Sequence, residues 1–405
     1  MFRREATRSA GWILSRGFAQ ALEFVAWVVF AWRLGASAVG VLAVAAITSR
    51  LLGLIADWGA TWRGPRDVAA HGKDSAIVVS LVRRRELVSV LLAVGMATVL
   101  GLMGDFALMP MAVVVGARGS NRDWIALGEA RRLHSSVPLL VQGALIAMLA
   151  AALPPSIAAG AIAVSIGNLA GLAVSRRLNP VSFHGVLAKT SVSGWYLIAG
   201  IADQAIASAD TALLLVLRSA DEAGVYNTIY RLPLAWLTVV GLTVTAAVPI
   251  VTRISDRPDF DPVRLYKHAD RAAIVAGLTV LPVANISLAL LGPLLGEEFD
   301  AGRDAMLILF VAVAVTTMSA PYRVLVTAHG PDRLVGLVTL GLAILNGVGN
   351  VFVIPTWGME GAAMTTLGGQ LLLFGFLFGW SLKSRASLCA EMPNSARHTT
   401  DWTRC

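Results

Sequence analysis

Arg16, Glu23, Arg50, Asp57, Arg118, Arg122, Asp123, Asp203, Asp210 and Arg231 all fall inside otherwise apolar stretches, and Arg323 stands near the end of another. In a bilayer such a group costs roughly 2.5–3.5 kcal/mol at the centre of a helix, so it must be paired, reach an interface or face a water-filled cavity. Lysine is missing from these interiors, with only Lys189 at an edge. Guanidinium groups stay charged and grip phosphate oxygens in bidentate fashion, so the pattern suits capture of an anionic head group, and a diphosphate offers several such oxygens. The candidate substrate-binding set is Arg16, Arg50, Arg118, Arg122 and Arg231. Glu23, Asp57, Asp203 and Asp210 are candidates for ion pairing or for coupling to a proton or sodium ion.

These residues must be positioned by membrane-spanning helices. The chain has 405 residues, of which 56% are hydrophobic and 14% charged, with a mean hydropathy of +0.71. That is too little polar surface for a soluble protein of this size, so an all-α polytopic membrane protein is expected. The formal charge of +8 does not point to nucleic acid, because the basic residues lie in short loops between apolar segments rather than on one face. Twelve spans are expected, at about 9–33, 37–59, 83–104, 106–127, 134–153, 156–175, 188–217, 221–250, 270–293, 304–328, 332–354 and 359–382. The first is too long for a signal-peptide core and is read as a retained helix.

Loops rich in Lys and Arg alternate along this series with loops that hold almost none. Arg3, Arg4 and Arg8, then Arg83, Arg84 and Arg85, then Arg131 and Arg132, then Arg176 and Arg177, then Arg257, Arg264 and Lys267 fall on one side, which the positive-inside rule makes cytoplasmic together with both termini. The opposite side keeps short connections such as Gly104-Asp105 and Pro154-Pro155, too short for a folded domain. Depth along the spans pairs Glu23 with Arg50 near mid-membrane, and Asp210 with Arg231 about two turns from the outer surface. Arg16, Arg118 and Arg122 have no matching acid at every position, and either snorkel to the inner interface or line a cationic cavity. Pro110, Pro138, Pro233, Pro249, Pro282 and Pro321 fit simple kinks, with Pro233 placed to re-aim Arg231.

The chain also reads as two halves. Gly160-Ala-Ile-Ala-Val-Ser-Ile-Gly167 resembles Gly361-Ala-Ala-Met-Thr-Thr-Leu-Gly368, and Val39-Gly40-Val41 resembles Gly224-Val225-Tyr226. A six-plus-six repeat follows, of the sort whose halves rock around a midplane site. The expected organisation is two six-helix lobes, residues 1–177 and 178–384, in a V-shaped bundle around a central cavity, with a polar cytoplasmic tail at 385–405.

Asp123-Trp124-Ile-Ala-Leu-Gly128-Glu129, Ala209-Asp210, Ala223-Gly224-Val225-Tyr226, Tyr230-Arg231-Leu232, Val248-Pro249 and Gly358-Met-Glu-Gly361-Ala-Ala resemble the polysaccharide flippases, which handle O-antigen and exopolysaccharide precursors. These belong to the multidrug/oligosaccharidyl-lipid/polysaccharide exporter superfamily. Ser15-Arg16-Gly17-Phe18-Ala19 and Ala56-Asp57-Trp58-Gly59-Ala60 are similar to the opening helices of the related lipid II flippases. Those usually have fourteen spans and an Arg where Gln20 stands here. The resemblance implies a transporter that moves undecaprenyl-diphosphate-linked oligosaccharide from the inner to the outer leaflet of a bacterial cytoplasmic membrane. It implies lipid-linked oligosaccharide and membrane lipids as ligands, polysaccharide polymerase machinery as a partner, and no cofactor. For a diphosphate bearing two charges, outward movement from a negative interior gains roughly 4–5 kcal/mol per 100 mV. The sequence has no Gly-x4-Gly-Lys-Ser/Thr loop for ATP.

Two other readings compete. A cation-coupled multidrug exporter of the same superfamily needs acids and aromatics facing its drug, whereas this cavity is net basic. An integral membrane glycosyltransferase or polymerase needs catalytic groups gathered at one membrane face. His71, His134, His184, His268, His329 and His398 are scattered, and Cys389 and Cys405 both fall in the tail, so neither a catalytic cluster nor a metal site is expected. Gln20, Asn168, Asn346, Asn350 and Gln370 suit either glycan contacts or hydrogen bonds between helices.

Overall fold

A computed structural model describes residues 2–129, 131–182, 194–255, 262–329 and 332–391. His184, Lys189, Arg257, His398 and Cys405 lie outside them. The helices follow in the order α1 (Phe2–Asp57), α2 (Ala60–His71), α3 (Ala76–Leu102), α4 (Met111–Gly119), α5 (Asp123–Gly128), α6 (Val137–Ala152) and α7 (Ile157–Leu178). After them come α8 (Gly194–Leu217), α9 (Ala220–Ser255), α10 (Pro262–Leu278), α11 (Val280–Leu295), α12 (Arg303–His329) and α13 (Asp332–Glu391).

Among the described residues nine helical stretches are long and apolar enough to cross a membrane. Two of them are double crossings. α1 bends at Gly35 (φ 76°, ψ 168°) and α13 at Gly358 (φ 52°, ψ −129°), conformations open to glycine and strained for any other residue. α10 and α11 together supply one crossing, Arg264–Pro293. These stretches account for eleven of the twelve expected crossings, all but the fourth, and the protein is an all-α membrane bundle in two lobes.

The fourth span differs from the expected single helix. It is assembled from a 3-10 turn (Phe106–Leu108), α4 and the six-residue α5, with Ser120–Arg122 outside the helices between the last two. Side chains of neighbouring helices hold its start: Ser165 Oγ donates to the Pro110 carbonyl (2.5 Å) and Ser49 Oγ to that of Met111 (3.0 Å). The break places Arg118 at the end of α4 and Arg122 in the connection just before α5. At the other end of the chain α13 runs on to Glu391, past the expected end of the last span.

On the side away from the termini the lobes touch backbone to backbone. A Cβ added at Gly224 would fall 1.8 Å from the Ala36 carbonyl oxygen, and one at Gly40 would fall 2.2 Å from that of Ala220. Val39, Ala223 and Val225 are buried around this crossing. It closes the far side of the bundle. α1 and α9 therefore pack along one another, and Trp27, Phe30, Tyr226 and Ile229 on these two helices belong to the main core.

The terminal side of the first lobe is held by charge. Arg85 on α3 pairs with Asp57 at the end of α1, with only 3% and 8% of their side chains exposed. Thr61 adds a backbone N–H (3.0 Å) and a hydroxyl (2.9 Å) to the Asp57 carboxylate. Arg85 also donates to the Asn121 carbonyl (2.9 Å), across the break between α4 and α5, and lies 5.5 Å from the Trp124 ring centre. Arg85 is therefore not a loop residue as expected. Successive helical positions point about 100° apart, so Arg83 and Arg84 stay exposed while Arg85 turns inward. Beside the pair, Trp58 adopts a left-handed conformation (φ 53°) under the Arg84 guanidinium, 4.4 Å from its ring centre.

Two outcomes follow from these contacts. Gly224→Ala should force the far side apart, raising labelling of a Val39→Cys variant by a membrane-impermeant maleimide; unchanged labelling would contradict backbone closure at this crossing. Arg85→Met alone should destabilise the protein by about 3–5 kcal/mol, because it strands the buried Asp57, whereas Arg85→Met with Asp57→Leu should recover much of that loss in thermal unfolding.

Candidate functional site

The bend at Gly35 folds the two limbs of α1 against each other, bringing Glu23 and Arg50 to similar depth. The Arg50 guanidinium donates to Glu23 Oε1 in a pair whose side chains are 24% and 16% exposed. Glu23 also lies in the field of Arg118 from α4 and Arg231 from α9. One carboxylate thus holds one guanidinium directly and lies within the electrostatic reach of two more, one from each lobe.

Each arginine has a different anchor. Arg50 is held by Glu23 itself. Arg118 packs its Cβ within reach of Gly53, where an added methyl would approach to 3.1 Å, so the second limb of α1 leaves room for it. The Arg231 guanidinium lies 3.7 Å from the centre of the Trp27 ring, a contact between the lobes that stabilises a cation through the ring's negative face. Trp27 is buried and braced edge-on by Phe30 at 5.7 Å. The Nε atoms of Arg118 and Arg231 are buried and have no hydrogen-bond partner among the described residues. With Arg50, Arg118 and Arg231 set against Glu23, the cluster carries an excess of two positive charges.

Asp210 does not pair with Arg231, contrary to the expectation from depth. It accepts hydrogen bonds from Tyr226 Oη (2.8 Å), Thr366 Oγ1 (2.7 Å) and Asn350 Nδ2 (2.5 Å), and is 3% exposed. The reason is helical phase. Tyr226 and Arg231 are five residues apart on α9, which turns them about 140° from each other. Tyr226 faces α8 and α13, while Arg231 faces α1. Asn346 Oδ1 accepts from Asn350 (3.2 Å) and the Thr365 hydroxyl donates to Asn350 Oδ1, which extends the network along α13. Asp210 therefore sits in a polar pocket of the second lobe with no guanidinium or ammonium among its hydrogen-bond partners.

The remaining candidates lie elsewhere. Arg122 donates to Glu86 (2.7 Å), which Arg176 also reaches (3.1 Å), so Arg122 belongs to a terminal-side network rather than to the mid-membrane cluster. Its backbone N–H is taken by Ser175 Oγ (2.9 Å). Arg16 stacks 5.3 Å from the Trp12 ring centre, reaches the Ser135 carbonyl at 3.5 Å and lies in the field of Asp123. Asp57 is committed to Arg85. Asp203 is exposed on α8. Of the polar residues considered for glycan contact, Asn350 bridges helices, and Asn168 donates to Val164 on its own helix (2.8 Å). Among the described residues no group of three or more His, Cys, Asp or Glu side chains is placed to hold a metal ion.

Arg85, Tyr226, Thr366 and Trp27 were not among the site candidates named from the sequence, although Tyr226 lies in a motif that the sequence did mark. For Arg85 the surrounding basic run hid it. For Trp27 a usable signal existed, an aromatic one helical turn after Glu23 on the same face.

No protein-family model matches this chain, and no curated protein matches its sequence. Solved structures do match its shape. An outward-facing multidrug resistance MATE family transporter of the MOP superfamily aligns over 96% of this chain and 97% of its own, with a TM-score of 0.60 and 14% identity. An inward-facing conformation of such a transporter aligns over 94% and 99%, with a TM-score of 0.62 and 13% identity. A MATE crystal structure in complex with MaL6 aligns over 95% and 97%, with a TM-score of 0.65 and 11% identity. The chain has the two-lobed helical fold of the MATE transporters.

Proposed function

We propose that this protein is a flippase that carries a polyprenyl-diphosphate-linked oligosaccharide from the inner to the outer leaflet of a bacterial cytoplasmic membrane, with both termini in the cytoplasm. The observation that carries the reading is the convergence of Arg50, Arg118 and Arg231, drawn from both lobes, on the single acid Glu23. Two excess positive charges match the two negative charges of a diphosphate, and guanidinium forks match its oxygens. A cavity that neutralises the head group lets a charged lipid cross a medium that would otherwise reject it. Because the far side is closed at Gly40 and Gly224, the substrate enters from the cytoplasmic side. Rocking the lobes about the cluster then exposes it outward, and the membrane potential drives release. Polysaccharide polymerase machinery in the outer leaflet would consume the product.

Within this reading the acids divide by role. Glu23 and Asp57 neutralise arginines, whereas Asp210, buried among hydroxyl and amide donors without a cationic partner, is the carboxylate suited to take up a coupling proton or sodium ion. The second reading is a cation-coupled multidrug exporter, favoured by the fold shared with the MATE structures. An excess of buried positive charge repels a cationic drug, which weighs against it.

Purified protein in proteoliposomes separates the two: the proposal expects outward flipping of a labelled polyprenyl-diphosphate sugar, and cationic drug efflux without flipping would overturn it. Arg50→Ala and Arg231→Ala should each lower flipping by at least roughly a hundredfold while the protein still inserts, since each removes a charged hydrogen-bonding group from the substrate phosphates. Asp210→Asn should remove any dependence of the rate on a proton or sodium gradient and leave the dependence on membrane potential; a gradient response that survives the substitution places coupling elsewhere.

A further inference from the structure

Glu23 is the residue in the cluster whose chemistry opposes substrate binding. It is a fixed anion placed where a phosphate oxygen would sit, hydrogen-bonded to Arg50 and in the field of Arg118 and Arg231. Leaving the cluster as three bare guanidinium groups would give higher affinity for any polyanion. It would also leave three like charges in a partly dry site whenever substrate is absent. We propose that Glu23 is a built-in competitor, a surrogate anion that occupies the Arg50 donors in the empty transporter, yields them to the substrate diphosphate, and reclaims them to expel it. This rests on the reading of the cluster as the diphosphate site.

Three features support the exchange. First, Arg50 reaches Glu23 through one nitrogen to one oxygen, a single contact and not a bidentate fork, so an incoming phosphate has donors to engage before the pair breaks. Second, the pair is less buried than the structural pair, 24% and 16% exposed against 3% and 8% for Arg85 and Asp57, so it is the more open of the two to exchange. Third, the other two arginines do not depend on Glu23 for position. Arg231 is carried by Trp27, and Arg118 by its packing against Gly53, so both stay in place as Glu23 lets go.

The carboxylate also sets the charge count. With Glu23 ionised the site holds two excess positive charges, matched to a diphosphate. Without it the site holds three and favours more highly charged anions. Glu23 is thus a specificity-determining residue that trades affinity for release.

The test is Glu23→Gln, which keeps size and hydrogen-bonding capacity while removing the charge. In proteoliposomes both KM and kcat for the polyprenyl-diphosphate sugar should fall, each by roughly tenfold, because substrate binds more tightly and leaves more slowly. Glu23→Asp should restore both towards the wild-type values. A variant that raises KM, or lowers kcat with KM unchanged, would show Glu23 to be a positioning residue only and overturn the proposal. Calorimetric titration with inorganic pyrophosphate tests it without transport. Glu23→Gln should bind pyrophosphate roughly tenfold more tightly than wild type, and equal or weaker binding contradicts the proposal even where flipping is normal. Conversely, tighter pyrophosphate binding by Glu23→Gln in a protein that flips no lipid would sink the substrate assignment while leaving the competitor role of Glu23 intact.

Discussion

Guanidinium charge held in a low-dielectric slab is the constraint on which the rest of this structure depends. A bilayer interior tolerates such groups only where the protein supplies a counter-charge, an aromatic face or access to water. The chain uses all three, in different places. At the terminal side of the first lobe Arg85 and Asp57 are paired one to one and sealed. At mid-membrane the pairing is deliberately short: one carboxylate serves Arg50, Arg118 and Arg231, with Trp27 supporting the last of them. The incomplete neutralisation is what distinguishes a site from a brace.

The fold exists to assemble that shortfall from two lobes. Gly35 folds α1 back on itself so that its limbs present Glu23 and Arg50 to one another. The break after α4 ends the fourth crossing close to Arg118, and the glycine crossing on the far side draws α9 against α1 so that Arg231 reaches Trp27. Any motion that separates the lobes at this depth must therefore pull Arg231 away from Trp27 and from the Glu23 and Arg50 pair. Closure at Gly40 and Gly224 and the state of the cationic cluster are mechanically linked through α1 and α9.

The bundle and its crossings were legible in the sequence because bilayer thickness fixes span length. Depth was legible for the same reason, which is why Glu23 and Arg50 emerged together. Facing was not. Asp210 and Arg231 share a depth, yet Tyr226 and the α13 hydroxyl and amide groups hold Asp210, because rotation about a helix axis cannot be read from hydropathy when every face is apolar. The break at Ser120–Arg122 did leave a signal, the polar run from Arg118 to Asp123, but that run reads equally as charges carried inside one span. The close approaches of Gly40 and Gly224 were visible only as weak internal similarity, since a glycine that admits a neighbouring backbone looks like any other glycine.

The most direct test of the central claim is a structure of the protein in a lipid nanodisc with a bound polyprenyl-diphosphate sugar. The account predicts diphosphate density between Arg50, Arg118 and Arg231, with the Arg50 and Glu23 contact broken. Diphosphate density confined to Arg16 or Arg122, with Arg50 still paired to Glu23, would contradict it.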